Sequence, residues 1–138
     1  MSKKSYDLTS KIDNCSGFYE WNKPLYLIKN DDERAYEFKK DKKECGFSDD
    51  ETWSLDASIT LFILPRLKRF RKIIETVRSY PADLKDANVW LEILDKMIFS
   101  FETMFKEWQD GEQISRDDQI KKNEGLKLFA EYFEALWW

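Results

Sequence analysis

The chain has 138 residues, 42% of them hydrophobic and 16% aromatic, and carries a formal net charge of −4. This length and apolar content suit one hydrophobic core, so we predict a single domain over residues 1–138 and exclude global disorder. The chain has no histidine, which removes the ordinary structural zinc patterns and the usual base for a serine or cysteine nucleophile.

No membrane segment or exported protein is predicted. The longest purely apolar run, residues 61–64, is far shorter than the roughly 20 residues that a membrane helix needs. Residues 1–10 are polar, and the two cysteines, Cys15 and Cys45, fit a reducing cytosol. We therefore expect a soluble protein in the cytoplasm.

Residues 1–30 are the least regular part of the sequence, because Gly17 and Pro24 interrupt a series of aromatic side chains. This pattern predicts an irregular arm laid on the core or a short hairpin. A helical core is predicted over residues 31–138. Its first helix begins at Asn30 or Asp31 and ends where Gly46 takes the position after the last helical residue.

The stretch CGFSDDETWSLD, residues 45–56, opens the second predicted helix. Ser48 and Glu51 have the spacing of a capping box, and Asp49 and Asp50 fall in the first turn, where the helix dipole favours acids. The helix runs to about residue 79. Its apolar stripe recurs at steps of three and four, at Trp53, Ala57, Thr60, Leu64, Leu67, Arg71 and Ile74. Pro65 predicts a kink or a break within this helix.

Two further helices complete the prediction. One spans about residues 87–108, with Asp86 as its N-cap and the most regular apolar stripe in the chain: Trp90, Leu94, Met97, Phe101, Met104 and Trp108. The last begins at Ser115 and presents Leu126, Phe129, Phe133 and Leu136 on one face. We predict a mainly all-α fold of about four helices in an irregular bundle, with the central helix kinked at Pro65.

Charge is unevenly distributed along the chain. Residues 66–78 hold six bases against one acid, a local charge of +5, whereas residues 81–138 hold thirteen acids against seven bases, a local charge of −6. A sequence pI near 5.0 argues against broad binding to nucleic acid. We call Arg66, Lys68, Arg69 and Lys72 the basic strip. It indicates either a phosphate-binding site or a solvated helix face paired with the acidic C-terminal half.

Trp53 and Asp56 are the other candidate ligand contacts. Asp56 lies beside the apolar stripe, so we expect it to be partly buried. Its partner is then Arg66, Arg69 or Arg71, or a basic group on a neighbouring helix, and the alternative is a contact with a ligand. Trp53, like Trp90 and Trp108, is expected in the core. Trp137 and Trp138 suggest a tail that docks back onto the domain or a subunit contact.

Enzymatic chemistry has little support in the sequence. Asp49, Glu51 and Asp56 could serve a metal-dependent hydrolase. Together with Asp50, however, they do not have the spacing of a calcium-binding loop. Asp49, Asp50 and Glu51 also lie where a helix start favours acids. Glu92 and Asp95 resemble a carboxylate pair, yet they fall on the polar side of their helix. No glycine loop for phosphate is present. We predict no catalytic residue, no metal ligand and no cofactor.

The segments GFSDDETWSLDASITLFILPRLKRF, YPADL, WLEILDKMIFSFE and EGLKLFAEYFEALW carry a resemblance to known proteins. In this order they resemble a family of small uncharacterised proteins of tailed bacteriophages, over about two-thirds of the chain. Residues 1–45 add little to it. The resemblance implies a viral protein in the cytoplasm of a bacterial host, and the family carries no established activity.

Small phage proteins without catalytic machinery often act in host takeover or counter-defence, which is an analogy of context rather than of site. We therefore expect a non-enzymatic accessory protein that inhibits a host protein or sequesters a phosphate-bearing nucleotide. Trp53, Asp56 and the basic strip are its candidate ligand contacts, and a homo-oligomer is expected. The alternative is a structural or assembly protein whose basic strip mediates subunit contacts, and the third reading is the metal-dependent hydrolase.

Overall fold

The computed structural model describes residues 33–138, and this part of the chain contains four α-helices and no strand. They are α1 (Ala35–Cys45), α2 (Leu55–Val77), α3 (Ala87–Asp110) and α4 (Arg116–Glu131), with 3₁₀ turns at Asp49–Thr52 and Phe133–Ala135. The predicted all-α class is confirmed. The predicted arm or hairpin of residues 1–30 lies outside the described residues.

The chain divides into two compact units, Met1–Pro65 and Arg66–Trp138, whose boundary falls inside α2. α2 continues through Pro65, so the proline does not break the helix. In residues 33–138, no helix has both the length and the apolar character that crossing a bilayer requires.

The described part of the first unit holds α1, a 3₁₀ turn and the first half of α2. α1 ends as predicted, because Gly46 adopts the left-handed conformation, with φ of 86°, and its N–H donates to the carbonyl of Lys42. Glu51 Oε2 accepts a hydrogen bond of 2.7 Å from the N–H of Ser48, as the capping box predicts.

The capping residues begin a different element from the predicted one. They start the 3₁₀ turn Asp49–Thr52, and α2 itself begins only at Leu55. This separation takes Trp53 off the helix, and its side chain is 53% exposed. The expectation that Trp53 belongs to the core is wrong. The buried residues of the predicted stripe in this half of α2 are Ala57, Thr60 and Leu64.

The second unit holds the rest of α2, then α3 and α4. α3 starts at the predicted N-cap, since the carboxylate of Asp86 accepts from the N–H of Val89 at 3.0 Å, and it stops at Gly111, with φ of 65°. Ser115 caps α4 through a hydrogen bond of 3.1 Å from the N–H of Asp118. The core of the unit includes Leu67, Ile74, Trp90, Leu94, Met97 and Phe101.

α4 packs closely on α3 at Gly125. A Cβ atom at this position would overlap Ser100 Oγ and the backbone carbonyl of Lys96, so only glycine lets the two backbones approach this far. α4 ends at Glu131, and Phe133 of its predicted apolar face belongs to the following 3₁₀ turn.

Candidate functional site

The basic strip lies on α2 and is partly neutralised by acids of the same unit. Lys68 Nζ lies 2.7 Å from Glu102 Oε1 on α3. The neighbouring Arg71 is held by two carboxylates: its guanidinium donates to Asp95, with one bond of 3.0 Å from Nη2 to Oδ2, and also to Glu75. The acids that pair with this region therefore lie within the chain itself.

The pKa of Arg71 is raised above its ordinary value. The largest cause is the hydrogen bond to Asp95, and the bond to Glu75 adds to it against the opposing effect of burial. Asp95 thus serves as an ion-pair partner, which agrees with its predicted place on the polar side of α3. Arg71 has its charge satisfied and is a poor candidate for a ligand contact.

Arg69 differs from the paired bases. Its Nε atom is buried and has no hydrogen-bond partner among the described residues. A buried guanidinium nitrogen without an acceptor is unfavourable, and because Arg69 as a whole is only half-buried, a rotation of its side chain would let an anionic oxygen reach the nitrogen and remove that cost. Lys72, one turn further along α2, is exposed and Arg66 is exposed as well. Arg69 is therefore the member of the basic strip that most favours an anionic ligand.

Trp53 packs in a small cluster of the first unit rather than in the core. Its ring meets that of Phe38 edge to face, with the centroids 6.0 Å apart, and the guanidinium carbon of Arg34 lies 5.4 Å from the ring centroid. These contacts fasten the turn that precedes α2 to α1. They leave about half of the indole exposed.

Asp56 is exposed, so the prediction of a partly buried carboxylate is wrong. Its Oδ1 atom accepts a hydrogen bond of 2.6 Å from the hydroxyl of Ser54. The reason is the late start of α2: Asp56 falls in the first turn of the helix, where a neighbouring serine and the positive end of the dipole satisfy it without an arginine.

The buried acid of this region is Asp50, which the sequence indicated only as a first-turn residue. Its side chain is 1% exposed, one oxygen accepts from the Ser48 hydroxyl, and Oδ2 has no partner among the described residues. Its burial could not be read from the pattern, because a 3₁₀ turn directs side chains differently from the α-helix that was predicted.

The acids of the opening stretch do not form a metal site. Glu51 caps the turn and pairs with Lys42 at 3.1 Å, and Asp56 is engaged by Ser54. Within residues 33–138, no group of three histidine, cysteine, aspartate or glutamate side chains is placed to hold a metal ion. The metal-dependent hydrolase therefore has no geometric support in this region.

The first half of α2 carries an exposed apolar stripe that the sequence predictions did not include. Leu55, Ile59 and Phe62 are 55%, 48% and 57% exposed and follow one another at steps of four and three, which places them on one side of the helix. The spacing of these three apolar residues is visible in the sequence. It does not by itself indicate an exposed surface, because the neighbouring stripe through Ala57 and Leu64 already accounts for the core.

The tail of the chain lies against the second unit. Trp137 and Trp138 line a cleft together with Tyr80, Pro81 and Trp90. This arrangement matches the predicted tail that docks back onto the domain. It also gathers four aromatic side chains around one opening.

Comparison of the chain with protein-family models, with curated proteins and with solved structures finds no match. The function is therefore inferred from the chemistry of the chain's own surfaces.

Proposed function

We propose that this chain is a non-enzymatic accessory protein of a tailed bacteriophage that binds a host protein in the bacterial cytoplasm and inhibits it, as a counter-defence factor does. The observation that carries the proposal is the exposed apolar stripe of Leu55, Ile59 and Phe62. The phage context rests on the sequence resemblance alone.

The stripe has the spacing by which helices are recognised in apolar grooves, with anchor residues at positions i, i+4 and i+7. Large apolar side chains that are half exposed and adjacent mark interaction surfaces more often than scattered ones do. The described residues also show no carboxylate cluster for metal chemistry, and their paired bases are engaged by acids. Binding through apolar contact is thus the activity that the first half of α2 supports best.

The proposal is tested with Ile59→Glu, which places a charge in the middle of the stripe, and with Thr76→Glu, an exposed control on the same helix. Both variants and the natural chain are expressed in bacteria, and the co-purified proteins are compared by quantitative mass spectrometry. We expect one host protein to accompany the natural chain and Thr76→Glu and to fall at least about tenfold with Ile59→Glu. The partner is then purified and its affinity measured by calorimetry.

Sedimentation separates this proposal from the assembly alternative. If Ile59→Glu dissociates an oligomer of the chain and no host protein responds to the substitution, the stripe is a subunit contact and the host-binding proposal fails. An oligomer that weakens with added salt would point to the basic strip as the subunit contact instead. A host partner bound equally by Ile59→Glu would also contradict the proposal.

A second candidate function is the sequestration of a phosphate-bearing nucleotide at the basic strip. The buried Nε of Arg69, which has no acceptor among the described residues, supports it. Calorimetry with ADP compares the natural chain with the double variant Arg66→Ala, Arg69→Ala and with Lys106→Ala, an exposed base on α3. We expect the double variant to abolish binding while Lys106→Ala retains it, and unchanged affinity in the double variant would rule this candidate out.

A further inference from the structure

The cleft beside the tail is a second candidate binding site, formed by residues of the unit Arg66–Trp138 that belong neither to the stripe nor to the basic strip. Its volume is about 110 Å³, several times the ~30 Å³ that a water molecule occupies in the liquid. Pockets for drug-sized ligands measure roughly 300–1,000 Å³. The cleft is thus matched to one small head group rather than to a nucleotide.

The lining of the cleft is mostly aromatic. Trp90 is buried, whereas Tyr80, Trp137 and Trp138 are 46%, 75% and 43% exposed. The other lining residues within residues 33–138 are Ser79, Pro81 and Ala135, so this part of the chain contributes no charged side chain to the lining. Tyr80 and Trp137 thus present exposed aromatic surface at one opening, and adjacent exposed apolar surface is typical of a contact site.

Trp90 is held in position by its neighbours. The rings of Phe70 and Tyr132 meet it with centroid distances of 6.4 Å and 5.5 Å, and the hydroxyl of Tyr132 donates to Asp83 at 3.2 Å. A fixed indole binds a ligand without losing further side-chain freedom. Trp90 is 1% exposed, so it forms the rigid aromatic floor of the cleft, and Tyr80 and Trp137 supply most of its open aromatic surface.

The aromatic lining of the cleft favours a cation. Aromatic rings attract cations through the negative potential of their faces. Glu134 adjoins the lining residue Ala135 in sequence, whereas Arg78, which adjoins Ser79, keeps its positive charge because its Nη2 donates to the neutral amide oxygen of Asn88 at 2.8 Å. The preference for a cation therefore rests on the rings.

We infer that this cleft binds a quaternary ammonium head group. A primary ammonium brings three N–H donors, and the side chains that residues 33–138 contribute to the lining offer them two hydroxyl acceptors, those of Ser79 and Tyr80. A quaternary ammonium has no N–H to satisfy and presents methyl groups to the rings. Aromatic sites for choline and methylated lysine use this same chemistry.

The test uses the full chain and two probes of similar shape, choline and its neutral isostere 3,3-dimethylbutan-1-ol. Binding is followed by the shifts of the indole N–H signals of the six tryptophans in NMR spectra. We expect choline to bind saturably, with shifts confined to Trp90, Trp137 and Trp138, and the isostere to bind at least about tenfold more weakly. Equal binding of the two probes would overturn the inference, since it would show an apolar hole without cation preference.

Trp137→Leu keeps apolar area at the cleft and removes the aromatic face. We expect it to weaken choline binding roughly 3- to 30-fold. Trp53→Leu, an exposed tryptophan of the other unit, is the matched control and leaves the affinity unchanged. Tyr80→Leu provides a second cleft variant if Trp137→Leu folds poorly, and unchanged affinity in a folded cleft variant would overturn the inference.

Vesicles of phosphatidylcholine distinguish a free ligand from a lipid surface. The small cleft accepts one head group, so we expect soluble choline to bind with no vesicle present. Binding to vesicles without measurable binding of choline would contradict the inference, because the recognised feature would then be the membrane surface.

Discussion

The hydroxyl of Ser100 on α3 donates a hydrogen bond of 2.6 Å to the backbone carbonyl of Lys122 on α4. This bond satisfies a buried serine and ties the two helices together where Gly125 permits their close approach. A glycine inside a helix costs about 1 kcal/mol relative to alanine, so its presence here reflects packing rather than helix propensity.

Gly125→Ala is expected to destabilise the protein despite the better helix propensity of alanine. The added methyl overlaps the Lys96 carbonyl and Ser100 Oγ, and such overpacking lowers the free energy of unfolding by about 1–3 kcal/mol. Chemical denaturation measures the change. Asn123→Ala, at an exposed position of the same helix, is the control and stays within about 0.5 kcal/mol.

Ser100→Ala does not rescue Gly125→Ala, because the Lys96 carbonyl is backbone and remains in the way. A double variant as stable as the natural chain would show that the serine hydroxyl alone required the glycine.

Arg71 and Asp95 are expected to be energetically coupled. Both side chains are partly exposed, so a double-mutant cycle with Arg71→Ala and Asp95→Ala should give a coupling of about 0.5–1 kcal/mol, which falls as salt is added. The same cycle on Lys96 and Glu124, whose side chains are both about half exposed, should give less. A larger coupling energy in that control pair would contradict the role assigned to Arg71, whose guanidinium donates to both Asp95 and Glu75.

Tyr132 gives the chain an alkaline pH dependence. Its pKa is raised, first by partial desolvation of the hydroxyl and then by the hydrogen bond and charge of Asp83, with Glu131 contributing. The folded state therefore holds this proton more tightly than the unfolded state. The resulting stability is present below pH about 10 and is lost as the pH rises through the higher folded-state pKa.

The free energy of unfolding, measured across alkaline pH, should thus fall more steeply with rising pH for the natural chain than for Tyr132→Phe. Spectrophotometric titration should show that Asp83→Asn lowers the pKa of Tyr132, because the substitution removes the nearby charge. Tyr36→Phe, at an exposed tyrosine, is the control for the loss of one phenol. If Asp83→Asn leaves the pKa of Tyr132 unchanged, Asp83 is not a cause of the raised pKa.

Pro65→Ala is expected to stabilise the chain. Proline inside α2 supplies no N–H to the carbonyl of Leu61 and crowds the preceding turn, at a cost of about 3 kcal/mol in a regular helix. Part of this gain is offset because the unfolded chain becomes freer without proline, so we expect a net rise of about 1–2 kcal/mol in the free energy of unfolding. A net loss would show that the proline is required by the native conformation.

Helix number, helix class and most caps could be predicted from the sequence because they depend on local chemistry. Asp86 and Ser115 each act within a single turn of backbone, and the structure has both at the predicted N-cap positions. The buried side of α3 could also be predicted, since the period of its apolar residues places one side of the helix in the core. The resemblance to phage proteins remains a prediction.

The candidate site could not be predicted in the same way. Ser48 and Glu51 indicated a helix start, but not that a 3₁₀ turn would intervene before Leu55. That short insertion rotated Trp53 out of the core, left Asp56 exposed and buried Asp50 instead. Local propensities do not distinguish a 3₁₀ start from an α start, because the difference depends on what each side chain then packs against.

The sequence by itself determined the all-α class, the four helices of residues 33–138, most of their caps and two oppositely charged segments, because these follow from residue type and spacing. Only the tertiary structure decided which charges neutralise one another, which carboxylate is buried, and that Tyr80, Trp90, Trp137 and Trp138 line one cleft. These relationships join residues up to dozens of positions apart. They depend on how helices pack, and periodicity within one helix carries no information about that packing.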